Sequence, residues 1–139
     1  MAATLSLTGV RLLRHGRRCL ARAAAHELLD RPDRPTALLC FSEVFAAQAV
    51  RAAEDLGLNV PADVSVVGYD DADFASTTRP ALTTVRQQVG EKGRTAVAAL
   101  LALIDGKDPA PHTVLRIELV IRESSAPVPE GLPAPSHEP

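Results

Sequence analysis

The sequence predicts an α/β fold, a parallel sheet flanked by helices, from the order of its elements, its length and its composition. Apolar, strand-like runs and amphipathic helical segments alternate along the chain, as in a parallel sheet with helical crossovers. With 139 residues, 46% of them hydrophobic, the chain is long enough for one domain with a core and too short for two ordinary domains. Three Phe, one Tyr and no Trp leave that core to aliphatic side chains.

The first two predicted elements are a helix and a strand. Residues 17–30 repeat apolar side chains at helical spacing, with charged side chains between them, and Pro32 follows. The run TALLCF at 36–41 has no polar alternation, so we expect a strand covered on both of its faces. Cys40 lies within that run, where a free cysteine behaves as a small hydrophobe.

A second helix is predicted over residues 43–56. Ser42 stands at its N-cap, Glu43 places negative charge in its first turn, and Gly57 follows its end. One face carries apolar residues at helical spacing: Phe45, Ala49, Ala52, Ala53 and Leu56. The opposite face is polar, so we expect this helix to cover one side of the sheet.

Two further strands lead into polar residues. The first runs over residues 64–69, and with the preceding strand and helix it makes a parallel βαβ unit before a polar loop at 70–79. The second, at 82–85, leads to Gln87 and Gln88. Ligands of α/β proteins bind beyond the carboxyl ends of the parallel strands, so this edge of the sheet is the predicted ligand site.

The last two elements are a helix and an edge strand. The helix over 91–105 ends at Gly106 and is apolar almost all round, so it needs burial on more than one side. The strand over 113–123 alternates apolar and polar side chains, which is typical of a half-exposed strand at a sheet edge. Residues 126–139 contain five prolines and little apolar bulk, which predicts a disordered tail.

The charge distribution is uneven although the net charge is only −2. Residues 1–34 hold seven arginines against three acids, and residues 1–26 hold no acid. Such a basic start can indicate nucleic acid binding, membrane binding or organelle import, but an arginine- and alanine-rich composition without a function is the preferred interpretation. No apolar stretch is long enough to span a membrane, so we expect a soluble cytoplasmic chain.

Asp70 is the first candidate ligand-binding residue. A carboxylate directly after a buried strand can accept hydrogen bonds from neighbouring hydroxyls of a sugar or nucleoside. The alternative is a loop carboxylate that caps the backbone, which we favour for Asp71 and Asp73. Ser42 can bind a ligand, cap the helix or do both, with capping alone favoured by the local sequence. The amides of Gln87 and Gln88 suit polyol recognition, and the alternative is an exposed glutamine pair that contacts only solvent.

Neither a catalytic site nor a metal site is predicted. A divalent metal at the three acids is disfavoured, because Ca²⁺ needs six or more oxygen ligands and no further acids cluster nearby. The sequence contains no GxSxG, P-loop or GxGxxG motif, and its histidines lie in a surface helix, loops or the tail: His15, His26, His112 and His137. We therefore expect no enzyme and no cofactor, although a small hydrolase using Asp70 and Asp71 stays an alternative.

Four segments together resemble the C-terminal part of LacI/GalR-family transcriptional regulators. They are PTALLCFSEVFAAQAVRAAEDLGLNVPADVSVVGYDDADF, PALTTVRQ, GRTAVAALLALIDG and ELVIRESS, in that order, and the resemblance covers residues 16–125. It implies the C-terminal lobe of a type I periplasmic-binding-protein-like sensor domain, incomplete in this chain. In that family a helix-turn-helix binds DNA, the sensor binds a sugar or nucleobase effector, and the protein forms homodimers.

The resemblance implies roles for particular residues. Asp70 matches the family's effector-binding aspartate, Ser42 matches a position that reaches the ligand, and Gln87 matches the polar residue at the crossover between lobes. Glu43 stands where the family usually has Asp, which leaves its role open. The helix over 43–56 resembles one that contributes to the dimer interface.

The chain also departs from the family's pattern. Nothing corresponds to the helix-turn-helix, the hinge or most of the N-terminal lobe, and residues 1–15 match no part of the family. The helix over 91–105 would enter that lobe, which agrees with its all-round apolarity. We therefore expect a truncated sensor that holds one wall of an effector cleft. The alternatives are the small hydrolase and an interaction protein that pairs with a full-length relative.

Overall fold

A computed structural model describes residues 18–110 and 112–127, which form three α-helices, one 3-10 helix and four strands. In chain order the elements are α1 (Arg18–Leu29), β1 (Ala37–Leu39), α2 (Glu43–Asp55), β2 (Ser65–Asp70), the 3-10 helix (Asp73–Ser76), β3 (Thr83–Gln87), α3 (Val89–Ile104) and β4 (Ile117–Val120). Every predicted helix and strand is present, and most of their bounds shift by one or two residues. The 3-10 helix was not predicted and lies inside the predicted polar loop.

The four strands form one mixed sheet in the order β1-β2-β3-β4. β1 pairs with β2 and β2 pairs with β3 in parallel, whereas β4 pairs antiparallel with β3 and forms the far edge. Leu39 lies opposite Val67, and Asp70 lies opposite Arg86. The carboxyl ends of the three parallel strands therefore meet at one edge, as the sequence predicted.

The core lies between α2 and the first two strands, and α1 packs against α2. Most of its residues are small: Ala25, Leu29, Ala46, Ala49, Val50, Ala52, Ala53, Val64, Val66, Ala75, Ala81 and Leu82. Small side chains let the helices and the sheet approach closely, which explains how a core almost without aromatic residues stays filled. Cys40 packs against this core, and burial raises the pKa of its thiol to about 11, so it stays a neutral, apolar side chain.

The prediction that β1 is covered on both faces is wrong for the described residues. Leu38 packs on the core, but Leu39 is 71% exposed and Phe41, just beyond the strand, is 68% exposed. Among the helices that the structure describes, α2 is the one that makes substantial contact with β1. A single helix covers a single face, so the described residues leave the other face of this apolar strand exposed.

Both α3 and β4 have exposed apolar surfaces. No residue of α3 is buried within the described part of the chain. The exposed apolar side chains are Val89, Val97, Leu100, Leu101, Leu103 and Ile104 of the helix, with Ile117 and Leu119 of β4 and Ile121 just beyond it. The predicted need of this helix for a neighbour is therefore not met by residues 18–110 and 112–127.

The predicted ends of the second and third helices, each followed by a glycine, are confirmed. Gly57 and Gly106 follow α2 and α3 with φ values of 70° and 72°, the left-handed region that glycine adopts most readily. The predicted basic segment 1–15 lies outside the described residues, as does the predicted tail beyond residue 127. No helix in the described part of the chain is long and apolar enough to cross a membrane.

Candidate ligand-binding site

Three side chains singled out from the sequence lie at the carboxyl edge of the sheet. Asp70 ends β2 and Gln87 ends β3, and the Nε2 amide of Gln87 donates a hydrogen bond to the Oδ1 atom of Asp70. Ser42 follows β1 at the same edge, because β1 and β2 run parallel. Asp70 is exposed, and Ser42 and Gln87 are half-buried. The structure thus brings Asp70 and Gln87 into direct contact and places Ser42 beside the neighbouring strand end.

Ser42 does not cap α2 through its side chain. It occupies the N-cap position with extended backbone, φ −161° and ψ 164°, but makes no side-chain capping hydrogen bond. The expectation that capping is its main role is therefore wrong. Within the described residues its hydroxyl has no hydrogen-bond partner, so it can donate to or accept from a ligand.

The backbone at Asp70 and Asp71 is unusual for residues with a side chain. Asp70 has a φ of 98° and Asp71 a φ of 56°. Positive φ values are uncommon outside glycine, although Asp tolerates them better than most residues. The two consecutive values turn the chain sharply out of β2, so that the Asp70 and Asp71 carboxylates engage different partners.

Asp71 is held between two arginines, and the prediction that it caps the backbone is wrong. Its side chain is 9% exposed; Oδ2 accepts from the Nε of Arg86 at 2.6 Å, and Oδ1 accepts from an NH2 group of Arg122 at 2.7 Å. Arg122 also donates to the carbonyl of Leu82 at 2.7 Å. Burial acts to raise the pKa of Asp71, but the hydrogen bonds and charges of Arg122 and Arg86 outweigh it and leave that pKa below its usual value. The ionised side chain of Asp71 therefore has a structural role at the edge of the site.

Glu43 is a further member of the site that sequence analysis left without a role. Only 2% of the residue is exposed, and its Oε1 atom accepts hydrogen bonds from the backbone N–H of Asp71 and the hydroxyl of Thr84, both at 2.6 Å. Its one sequence signal was an acid at the junction of an apolar strand and a helix. That signal is ambiguous, because the helix dipole favours an acid there in any case.

The remaining sequence candidates stand apart. Asp73 and Gln88 are exposed, and neither side chain forms a hydrogen bond to another described residue, so backbone capping by Asp73 is not found. Among residues 18–110 and 112–127, no three His, Cys, Asp or Glu side chains cluster closely enough to hold a metal ion. His15 and His137 lie outside those residues.

The edge of the sheet offers hydrogen bonds of complementary kinds to a polyhydroxylated molecule. The Asp70 carboxylate is an acceptor with an exposed oxygen, the Gln87 amide can donate and accept, and the Ser42 hydroxyl can do both. Neighbouring hydroxyls of a sugar need acceptors and donors placed side by side. This chemistry serves binding and orientation.

The chain matches known proteins both in sequence and in fold. Residues 3–125 match the model of a family described as the periplasmic binding protein-like domain, and the match includes most of the segment 1–15 that the resemblance had left out. The chain is 49% identical over 110 residues to the HTH-type transcriptional regulator MalR of Streptomyces coelicolor, which covers 78% of this chain and 31% of that protein.

Two solved structures have the same fold. A dimeric lac repressor bound to operator and to the anti-inducer ONPF has a TM-score of 0.71 and 36% identity, over 76% of this chain and 37% of that one. The complex of the transcriptional regulator CelR with cellobiose has a TM-score of 0.71 and 37% identity, over 78% of this chain and 33% of that one. The chain thus spans about a third of the length of each of these regulators.

Proposed function

This chain belongs to the family of periplasmic binding protein-like domains, in the form that LacI/GalR-type transcriptional regulators use for ligand sensing, and we propose that it supplies one wall of an effector cleft. Asp70, Ser42 and Gln87 are the residues that contact the effector. The effector is a sugar or a nucleoside, recognised through its hydroxyl groups.

The hydrogen bond between Asp70 and Gln87 is the observation that carries this proposal. It joins the ends of β2 and β3 and leaves the carboxylate of Asp70 exposed. A neutral partner restrains the carboxylate without cancelling its charge, so its other lone pairs remain ready for ligand hydroxyls. Asp71, by contrast, is committed to two arginines.

The exposed apolar surfaces of α3 and β4 support the view that this is one part of a larger sensor. Ile104 of α3 is 71% exposed and Ile121, beyond β4, is 72% exposed. We propose that the rest of a two-lobed sensor covers these surfaces and completes the cleft. In the same proposal the regulator is a cytoplasmic homodimer, and it binds DNA through a helix-turn-helix.

An enzymatic role is not favoured. The hydrolase alternative requires Asp71 as a base or nucleophile, but both of its carboxylate oxygens accept hydrogen bonds from arginines. A depressed pKa makes it a weak base. We therefore propose a binding role and no catalysis.

A segment exchange tests the proposed function. Residues 18–125 of this chain would replace the matching segment of the cellobiose-binding regulator CelR, which restores a complete cleft around Asp70, Ser42 and Gln87. Calorimetric titration with cellobiose, other sugars and nucleosides should then detect binding of at least one compound. A hybrid that unfolds cooperatively on heating yet binds none of them would contradict the proposal.

The 139-residue chain on its own provides the matched control for that experiment. Half a cleft makes half the contacts, so we expect no submillimolar binding of any compound in the panel. Submillimolar binding by the isolated chain would show that other residues of the chain complete the site, and the one-wall proposal would be wrong.

The isolated chain should also bind an apolar-surface dye and self-associate, because α3 exposes its apolar residues. Replacing Leu101 and Ile104, which are 56% and 71% exposed, by glutamine should reduce dye fluorescence and shift the light-scattering mass toward that of a monomer. Glu91→Gln, an exposed polar change in the same helix, is the control. A wild-type chain that is monomeric and binds no dye would contradict the exposure of the apolar residues of α3.

A further inference from the structure

Glu43 is a buried carboxylate that the proposed function does not use. It begins α2, yet only 2% of the residue is exposed. Its Oε1 atom accepts a hydrogen bond from the Asp71 N–H at 2.6 Å and another from the Thr84 hydroxyl at 2.6 Å. One oxygen thus connects the start of α2, the turn after β2 and the second residue of β3.

The turn that receives this bond has a backbone that needs support. Asp70 and Asp71 both have positive φ, at 98° and 56°. Residues with a side chain keep such conformations only where surrounding contacts hold them, and these conformations cluster at ligand-binding sites. A bond from a backbone N–H to a carboxylate is among the stronger hydrogen bonds, so the Glu43 bond is well suited to hold the turn.

Gly68 of β2 lies against the start of α2. A Cβ atom added at Gly68 would lie 3.4 Å from the Cα and the Cγ of Glu43, and 3.5 Å from the Cβ of Ala46. These distances are at or near the lower limit of ordinary packing contacts. The start of α2 therefore packs directly on the strand that ends in Asp70.

We propose that Glu43 is a positioning residue, which fixes the Asp70–Asp71 turn so that the Asp70 carboxylate faces Gln87 and the effector. The two arginines hold the Asp71 side chain, and Glu43 holds the Asp71 backbone. This division leaves Asp70 as the exposed carboxylate of the pair. The inference rests on the proposed function for its ligand, but the geometry that it claims exists without any ligand.

NMR measurements on the ligand-free 139-residue chain test this proposal. The variants are Glu43→Ala, Glu43→Gln and Thr84→Val, with Glu54→Gln at an exposed position of the same helix as the control. Two signals are followed: the exchange protection of the Asp71 amide, and the side-chain amide of Gln87, which reports its bond to Asp70.

Glu43→Ala should lower the protection of the Asp71 amide by roughly tenfold or more, because one charge-assisted bond is lost. The Gln87 side-chain signals should move to the positions of an unbonded glutamine. Glu43→Gln should cause a smaller change in both, since its neutral amide oxygen accepts a weaker bond. Thr84→Val and the control should leave both signals near their wild-type values, because the bond from Asp71 to Glu43 stays.

A general structural role for Glu43 would give a different pattern. Protection would then fall equally at the Val66 amide, which bonds the Ser124 carbonyl in the core at 2.7 Å, and that result would overturn the proposal. Unchanged Gln87 signals in the two Glu43 variants would also overturn it. If Glu43→Ala does not fold, the Asp71 protection and the Gln87 signals of Glu43→Gln provide the test. A hybrid that binds no sugar would remove the proposed function but would leave these ligand-free signals as they are.

Discussion

Asp71→Asn should destabilise the fold by about 3 kcal/mol, the lower end of the usual cost of breaking a buried ion pair. The Asp71 side chain is 9% exposed and that of Arg122 is 17% exposed, so their attraction is only partly screened by water. Asparagine has nearly the same shape but carries no charge, and it leaves the Arg122 guanidinium without its carboxylate. Urea denaturation of the two proteins at neutral pH measures the difference.

Asp73→Asn is the matched control for this change. It removes the same charge two residues away, but Asp73 is exposed and its side chain forms no hydrogen bond to another described residue. Exposed substitutions of this kind usually change the free energy of unfolding by less than about 0.5 kcal/mol. If the two variants were equally stable, the Asp71 ion pairs would contribute nothing to the fold.

The stability difference should depend on pH in a definite direction. The pKa of Asp71 is lowered in the folded state, so its ionised form contributes stability that is fully present above the unfolded pKa of about 3.9. That contribution is lost as the pH falls from there through the folded pKa. The gap between wild type and Asp71→Asn should therefore be constant from pH 7 to about pH 5 and narrow below about pH 4.

The strand ends show what the sequence could predict about this site. An apolar run followed by Asp70, and another followed by Gln87, predicted the edge of the sheet and the two residues that meet there. The spacing of the apolar residues predicts the strands. Because the strands pair in parallel, their carboxyl ends lie at the same edge of the sheet. This part of the site follows from local patterns.

The roles of Asp71 and Glu43 could not be predicted in the same way. Asp71 bonds Arg122, which is 51 residues away in sequence, and Glu43 bonds Thr84, which is 41 residues away. Local sequence favours a loop cap for the first and a helix-dipole charge for the second, and both interpretations are reasonable until the sheet is assembled. Long-range partners decide between them, and no short pattern encodes those partners.

The exposed face of β1 has a similar explanation. Its residues are apolar, as in a strand covered on both faces, but a run of apolar residues does not identify the elements that cover those faces. Within the described residues a helix covers only the face of β1 that carries Leu38, and Leu39 on the other face is exposed. For the described residues the strand pattern thus overestimates the burial of β1.

Asp70→Asn in the CelR hybrid should weaken effector binding roughly 10- to 150-fold. Hydrogen bonds to a charged group contribute about 1.5–3 kcal/mol, and each 1.4 kcal/mol is a factor of ten in affinity. Asparagine keeps an acceptor oxygen for Gln87 but replaces the other oxygen by a donor, so a ligand hydroxyl that donates to Asp70 loses its partner. Calorimetry with the sugar or nucleoside that the unmodified hybrid binds gives the ratio of dissociation constants.

Two comparisons separate an effect at the site from a general loss of structure. Asp73→Asn removes a nearby charge without touching the proposed contacts, so it should leave the affinity unchanged. Asp71→Asn should lower the melting temperature more than Asp70→Asn does, because Asp71 is buried between arginines while Asp70 is exposed. We thus expect Asp70→Asn mainly to weaken effector binding and Asp71→Asn mainly to lower stability. Equal effects of both variants on both quantities would mean that the turn acts as one structural unit and that Asp70 has no separate role in binding.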